Sequence, residues 1–363
     1  MSQRPTDDEF RLAALRADEL AALASAATGR PMGAAAMSVR PIDYAWGSPA
    51  TAGLWQVDVR DVPDRGAVSA SFFVKLLRHP RLWPGLSRLP DEESRRNFID
   101  FFPWRFELDM YEAGIADALP PGLRVPTLHT AKQRGSDHIA LWLEYVDQEP
   151  GPWQLSDYGR AAYLLGRMAA RRRDGAAVNA NLPDICRVGM PGRSLRFYAS
   201  TRIFRAAEPA LREGAFWRHP VVAAALTRVG DPRLPAEMSA LAERVPAILD
   251  MLDALPQTHA HGDASPQNLL RPRGESGTLV VIDWAFGDVQ PVGFDLGQLL
   301  VGLAHAGQTE PGELAAIDAA IFPAYLDGLA DEDYEVDPGL VRLGYLGSLA
   351  VRSALCAIPL ELL

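Results

Sequence analysis

Apolar positions recur at helical spacing from Asp7 to Ala27, where Phe10, Leu12, Leu15, Leu20 and Leu23 stand among charges, and predict one amphipathic leading helix. The pattern then changes. Ala36 to Tyr44, Gly53 to Arg60 and Ser69 to Leu77 read as three strands, the first two joined by the small-residue loop 45–52 and the third preceded by the polar turn Asp61 to Ala67. His79 to Glu93, rich in Pro, Arg and Trp, reads as an inserted loop. Phe98 to Ala113 follows as a helix with Pro103 near its first turn. After the break at Leu119-Pro120-Pro121-Gly122, Val125 to Thr130 and Ile139 to Val146 read as paired strands around a turn from Gln133 to His138.

Beyond a linker from Asp147 to Trp153 the periodicity is helical. Ser156 is expected to cap a helix with Tyr158, Ala162, Leu165, Met168 and Ala169 on its apolar stripe, closing on Arg171-Arg172-Arg173, basic residues that suit a helix C-terminus. Further helices are expected at 195–207, 221–227, 237–255 with Pro246 inside, 311–329 and 338–358. One buried strand interrupts them, Thr278 to Ile282.

Composition adds three constraints. At 363 residues and 48% apolar content the chain can bury a full core, while its polar start, Met1 to Phe10, and the lack of any stretch of membrane-span length lead us to expect a cytoplasmic protein with no membrane partner. Two cysteines, Cys186 and Cys356, are too few for a disulfide framework or a thiolate cage. A net charge of −10 argues against a nucleic-acid partner and would suit a cationic small molecule, although acidity also serves solubility alone.

The basic residues are nearly all arginine, and only Lys75 and Lys132 are lysine. Lys75 ends an apolar strand, so if buried it needs a counter-ion. Glu107, on the helical stripe of Trp104 and Tyr111, is the first choice, with Asp109 and Glu112 as alternatives.

The densest chemistry lies in His259-Ala260-His261-Gly262-Asp263-Ala264-Ser265-Pro266-Gln267-Asn268 and in Ile282-Asp283-Trp284. Pro266 favours a turned loop, so Asp263 and Asn268 can face one point, and Asp283 closes the β-branched strand. Two carboxylates and an amide oxygen make a poor zinc site. They suit a hard cation that keeps water and phosphate oxygens, which is magnesium chemistry, with one carboxylate left to act as a base. Outside active sites the same residue types serve as N-caps and turn formers.

The pattern H-G-D-x-x-x-x-N followed by I-D-W resembles the catalytic and metal loops of the aminoglycoside phosphotransferase family, relatives of protein kinases that phosphorylate small-molecule hydroxyls. The resemblance implies an α+β, bilobal protein-kinase-like fold. Residues 1–146 would form a nucleotide-binding lobe of antiparallel sheet plus helix, and residues 147–363 a mainly helical catalytic and acceptor-binding lobe. It implies Asp263 as catalytic base, Asn268 and Asp283 as Mg2+ ligands, and His261 as a brace for the loop. Lys75, paired with Glu107, would neutralise the α- and β-phosphates of ATP or GTP. Gly47, Ser48, Thr51 and Gly53 would lie near the phosphates, backbone groups at Glu144 and Val146 would meet the adenine, and Asp295 would cap the next helix and hold the catalytic loop.

Two departures from the protein-kinase pattern favour a small acceptor over a protein, as does the lack of a long activation segment. Trp284-Ala285 replaces Phe-Gly after Asp283, and Ser265 stands in place of a lysine two residues past the base; the phosphate loop also departs, having no G-x-G-x-x-G. The expected acceptor is the hydroxyl of an aminoglycoside or other antibiotic natural product, in resistance or self-protection. A sugar, amino alcohol or homoserine kinase is the alternative, and a nucleotide-binding pseudokinase a further one. The acidic run 330–337 reads as a solvated loop or as a place for an acceptor's ammonium groups. A monomer or homodimer is expected.

Overall fold

A computed structural model describes residues 5–32, 35–43, 49–61, 70–89, 91–173 and 193–358. The chain divides into two compact units, the first built from Met1–Ala113, Val125–Glu149 and Pro272–Gly274, the second from Gly114–Arg124, Pro150–Arg271 and Glu275–Leu363.

The first unit is organised by a five-stranded antiparallel sheet in the order β1 (Ala35–Pro41), β2 (Thr51–Asp61), β3 (Ala70–Arg78), β6 (His138–Glu144), β5 (Leu128–Arg134). Side chains alternate across β3 with period two. Phe72, Val74 and Leu76 join Trp55, Val57 and Trp142 in a core closed by Ala13 and Leu20 of the leading helices and Leu15 between them, while Leu77 joins Ile139, Leu141, Leu143 and Leu108 on the opposite face. That alternation places Lys75 on the second face, where the helix carrying Glu107 packs.

The single leading helix expected over 7–27 is two helices, α1 (Asp7–Ala13) and α2 (Ala17–Thr28). Donors from the sheet explain the break. Trp142 Nε1 donates to the Ala13 carbonyl at 3.0 Å, and Arg134 donates to the Leu12 and Ala14 carbonyls at 2.8 and 2.7 Å. Carbonyls at a helix end need such partners, and here the sheet provides them. The helix expected over 98–113 is likewise divided, into α3 (Glu92–Phe101) and α4 (Phe106–Glu112). Phe102, preceding Pro103, is extended with ψ 121°, the restriction that proline places on its predecessor. The expected loop 79–93 holds two short 3-10 turns, Pro80–Leu82 and Leu86–Arg88, before α3 begins.

The second unit is mainly helical. It also holds β4 (Leu123–Arg124), which pairs in parallel with β9 (Leu279–Val281), and β8 (Leu269–Leu270), which pairs with β9 in an antiparallel ladder. A two-stranded ribbon joins β7 (Gln257–Ala260) to β10 (Asp288–Pro291). The helices are α5 (Leu155–Arg171), α6 (Arg193–Ala199), α7 (Glu208–Arg212), α8 (Gly214–Arg218), α9 (Pro220–Val229), α10 (Leu234–Asp253), α11 (Leu296–His305), α12 (Leu314–Ala330) and α13 (Pro338–Ser348). The cap of α5 is not Ser156 as expected. Gln154 precedes the helix, and its backbone N–H donates to Asp157 Oδ2 at 2.8 Å, a reciprocal arrangement with the Gln154 side chain.

Two glycines set the approach of α5 to α12. A Cβ on Gly166 would meet the Tyr325 carbonyl oxygen at 2.2 Å, and one on Gly328 would meet the Tyr163 carbonyl oxygen at 2.1 Å. A second core, including Ile203, Val245, Leu249, Leu252 and Phe294, receives Val351 and Leu355 from the C-terminal helix. That helix corrects the expectation that nothing reaches membrane-span length. Pro338–Ala357 has 20 residues at mean hydropathy 1.3, enough by length and composition, with half of it buried in the protein.

Gly328→Val should lower stability by about 1–3 kcal/mol or more, because the added methyls must displace backbone rather than a flexible side chain. Urea unfolding of the variant against the parent measures this, and an unchanged midpoint would show that the helix pair can separate without loss.

Candidate active site

His261, Gly262 and Asp263 leave β7 as a loop whose backbone is held from three sides. Gly262 has φ +80° and lies so close to the next segment that a Cβ would meet the Phe286 carbonyl oxygen at 2.0 Å. Only glycine satisfies both conditions. His261 is fully buried. Its Nε2 donates to the Ile282 carbonyl at 2.9 Å, and its Nδ1 accepts the Asp263 N–H at 3.2 Å. One imidazole therefore ties the residue before Asp283 to Asp263 itself.

Asp295 provides the third hold. Its Oδ2 accepts the His261 N–H at 3.0 Å and its Oδ1 accepts the Gly262 N–H at 2.8 Å. Burial pushes this carboxyl above its ordinary range, opposed by His261 and by the two backbone donors. The expected double role is half present. Asp295 sits at the N-cap position of α11 but gives that helix no side-chain cap bond, because both oxygens face the loop.

Asn268 ends a 3-10 turn over Pro266–Asn268. Its Nδ2 donates to the Asp263 carbonyl at 2.8 Å and to Asp263 Oδ2 at 3.2 Å. The amide is thereby oriented, with its Oδ1 as the remaining polar atom. The β8–β9 ladder continues one step further through the Ile282 N–H, which donates to the Asn268 carbonyl at 3.0 Å. Asn268 and Asp283 thus emerge from the same end of one hairpin. Asp283 is one of two non-glycine residues with positive φ among those described, at φ +59°. Outside glycine this region is sparsely populated, and aspartate is among the residues that enter it most readily.

In the first unit Lys75 and Glu107 are both buried, and Lys75 Nζ lies 2.5 Å from Glu107 Oε2. Glu107 is the carboxylate of the helical stripe that reaches Lys75, whereas Asp109 faces Arg105, at 3.6 Å. Thr51 opens β2 and is buried, and Gly53 lies against the Trp55 indole. Gly47 and Ser48 fall outside the described residues, as does Cys186. Glu144 ends β6, where its N–H donates to the Thr127 carbonyl at 2.9 Å, and Val146 follows in the segment leading to the linker.

Sequence reasoning missed two arginines. Arg352 Nη2 lies 2.9 Å from Asp263 Oδ1, with only 11% of its side chain exposed. Nothing in the local sequence marks it, since it comes from the C-terminal helix. Arg172, read as part of a plain helix end, is fully buried; it bonds His259 Nδ1 and lies over the Trp284 ring at 5.1 Å. The acidic run also has structural employment. Glu332 pairs with Arg167 at 2.5 Å and Arg171 at 3.7 Å, and Asp331 accepts the Tyr163 hydroxyl.

The oxygen donors fit magnesium. Among the described residues no group of three or more His, Cys, Asp or Glu side chains could hold a metal, so a protein-only cage is absent there. One carboxylate and one oriented amide match an ion that completes its shell with water and phosphate oxygens.

Residues 105–334 match the model of the phosphotransferase enzyme family, APH. The chain belongs to this family. APH membership makes the protein a small-molecule kinase that phosphorylates a hydroxyl group, with the kinase-like α+β fold that the sheet unit and helical unit display. Solved structures similar to this APH chain include an AMP-bound complex of spectinomycin phosphotransferase APH(9)-Ia, 14% identical over 96% of this chain and 92% of that one, TM-score 0.46. Amicoumacin kinase hAmiN in complex with AMP-PNP, Ca2+ and Ami is 11% identical over 86% and 80%, TM-score 0.48. Choline kinase from Cryptosporidium parvum Iowa II is 12% identical over 87% and 81%, TM-score 0.46. None of the curated proteins matches the sequence.

Burial, then the charge of Arg172, hold the His259 imidazole well below its ordinary 6.5. The folded protein keeps it neutral while the unfolded chain protonates it. Its stabilising contribution is therefore complete above about pH 6.5 and is lost as pH falls below that value. The urea midpoint should drop between pH 7.5 and 5.5, and His259→Gln should flatten that fall. An equal fall in the variant would assign the pH dependence to other groups.

Proposed function

We propose that this APH-family protein transfers the γ-phosphoryl group of ATP or GTP to a hydroxyl of a small molecule, with an aminoglycoside or other antibiotic natural product as first candidate and resistance or self-protection as the role. The observation that carries the reading is the joint bracing of Asp263, Asn268 and Asp283 by one buried histidine, one buried aspartate and one hairpin. In this reading residues 1–146 bind nucleotide and residues 147–363 carry catalysis and the acceptor, in the cytoplasm.

Asp263 orients the acceptor hydroxyl and takes its proton as the oxygen–phosphorus bond forms and the bond to the departing nucleoside diphosphate breaks. Lys75, held in place by Glu107, neutralises the α- and β-phosphates. In the same reading Thr51 and Ser48 would serve the phosphates, and the adenine edge would meet backbone groups at Glu144 and Val146. Asn268 and Asp283 would hold Mg2+, which when bound neutralises phosphate charge. Most of the protein's contribution is alignment and fixed charge, since phosphoryl transfer asks little covalent chemistry of its enzyme.

A second reading, a kinase of a sugar, amino alcohol or homoserine, gains from one observation. Asp331 and Glu332 of the acidic run are engaged by Tyr163, Arg167 and Arg171, which reduces what they can offer a polycation. The net charge of −10 favours the first reading. A pseudokinase would not need Lys75, Asp263, Asn268 and Asp283 together.

Magnesium-dependent nucleotide consumption against a panel of aminoglycosides, other antibiotics, sugars and amino alcohols tests the proposal, with Asp263→Asn as control. We expect acceptor-dependent turnover that falls by about 10³-fold or more in the variant while nucleotide affinity is kept. Turnover unaffected by Asp263→Asn would remove Asp263 as the base.

A further inference from the structure

The contact between Arg352 and Asp263 has no counterpart in the motifs that define the loop, yet it reaches the residue on which the proposed chemistry turns. We propose that Arg352 is a positioning residue for phosphoryl transfer, fixing the Asp263 carboxylate in the orientation that meets the acceptor hydroxyl. The inference rests on the reading of Asp263 as the base.

Each carboxylate oxygen of Asp263 has its own donor. Arg352 Nη2 holds Oδ1 at 2.9 Å, and Asn268 Nδ2 holds Oδ2 at 3.2 Å. Two donors from separate segments remove the rotation about the Cβ–Cγ bond that one would leave. Capacity for the acceptor remains, because an ionised carboxylate offers about four lone-pair sites. Among the described residues Arg352 is the cation paired with Asp263, and Ser265, two residues past the base, carries no charge.

Arg352 is itself held. Its guanidinium carbon lies 4.6 Å from the centre of the Phe286 ring and 5.2 Å from that of Tyr198, and the two rings pack edge-on against each other at 5.7 Å. Val351 and Leu355, its neighbours on the helix, are buried in the core. A planar guanidinium clamped by rings is ordered before substrate arrives, so little is lost when it acts. In a loose transition state the main service of the base is alignment of the attacking oxygen.

The test compares wild type, Arg352→Ala, Arg352→Lys and Asp263→Asn in magnesium-dependent turnover of ATP, with kanamycin, spectinomycin and choline as acceptors and with water alone. Loss of alignment should lower kcat by about 10²-fold in Arg352→Ala, with KM for ATP within about threefold of wild type. Guanidinium ion added to that variant should restore part of the rate, and Arg352→Lys should lie between, since a point charge replaces the fork. Guanidinium should not restore Asp263→Asn. A wild-type kcat in Arg352→Ala would overturn the inference, as would a loss that guanidinium leaves untouched and that follows a lowered melting temperature. Asp263→Asn at full rate would overturn the base assignment instead, whatever Arg352→Ala does. Wild-type protein that consumes no ATP with any acceptor or with water would overturn both.

Discussion

A carboxylate in a protein interior is tolerated only when its lone pairs are matched, and the Asp295 carboxylate is matched by two consecutive backbone N–H groups. Those two groups belong to His261 and Gly262, so the electrostatic need of Asp295 sets the path of the chain just before Asp263. Everything downstream inherits that path. Gly262 must lie against Phe286, His261 must reach Ile282, and Asn268 must fold back on the Asp263 carbonyl. The position of α11 and the position of the loop are therefore one quantity rather than two.

Much of this was legible in the chain. Lys75 stood out because lysine is so rare here, and period-two alternation put it on the face where Glu107 arrives. The H-G-D-x-x-x-x-N and I-D-W segments carried their spacing openly, and family membership follows from a match over 105–334. Long-range partners were not legible. Arg352 is one arginine in a chain whose basic residues are nearly all arginine, and its meaning depends on a helix docking far from it in sequence. The same holds for Arg172, which helix-end statistics explain adequately until its burial is seen.

Local errors had local causes. Periodicity carries the expected leading helix through Ala14 to Arg16 because apolar spacing does not register the sheet indole that donates to the Ala13 carbonyl where the chain turns away from helix. A capping serine was expected where Gln154 and Asp157 form the reciprocal pair, since either solution satisfies the same orphan N–H groups. The acidic run is solvated at Asp331, Asp333, Glu335 and Asp337 as expected, but composition cannot show that Arg167 and Arg171 of α5 lie opposite Glu332.

The C-terminal helix does not stay α-helical. Leu349–Ala354 is a π turn, and Arg352 lies inside it. Such a turn accommodates one residue more than an α turn does. With that slack already taken up, adding one more residue there would rotate everything beyond it by roughly 100°. Leu355 and Cys356 would then face away from the core, and the guanidinium would leave the carboxylate it now meets. The register of this last helix thus behaves as a key cut to a single length, which ties the end of the chain to the geometry of Asp263.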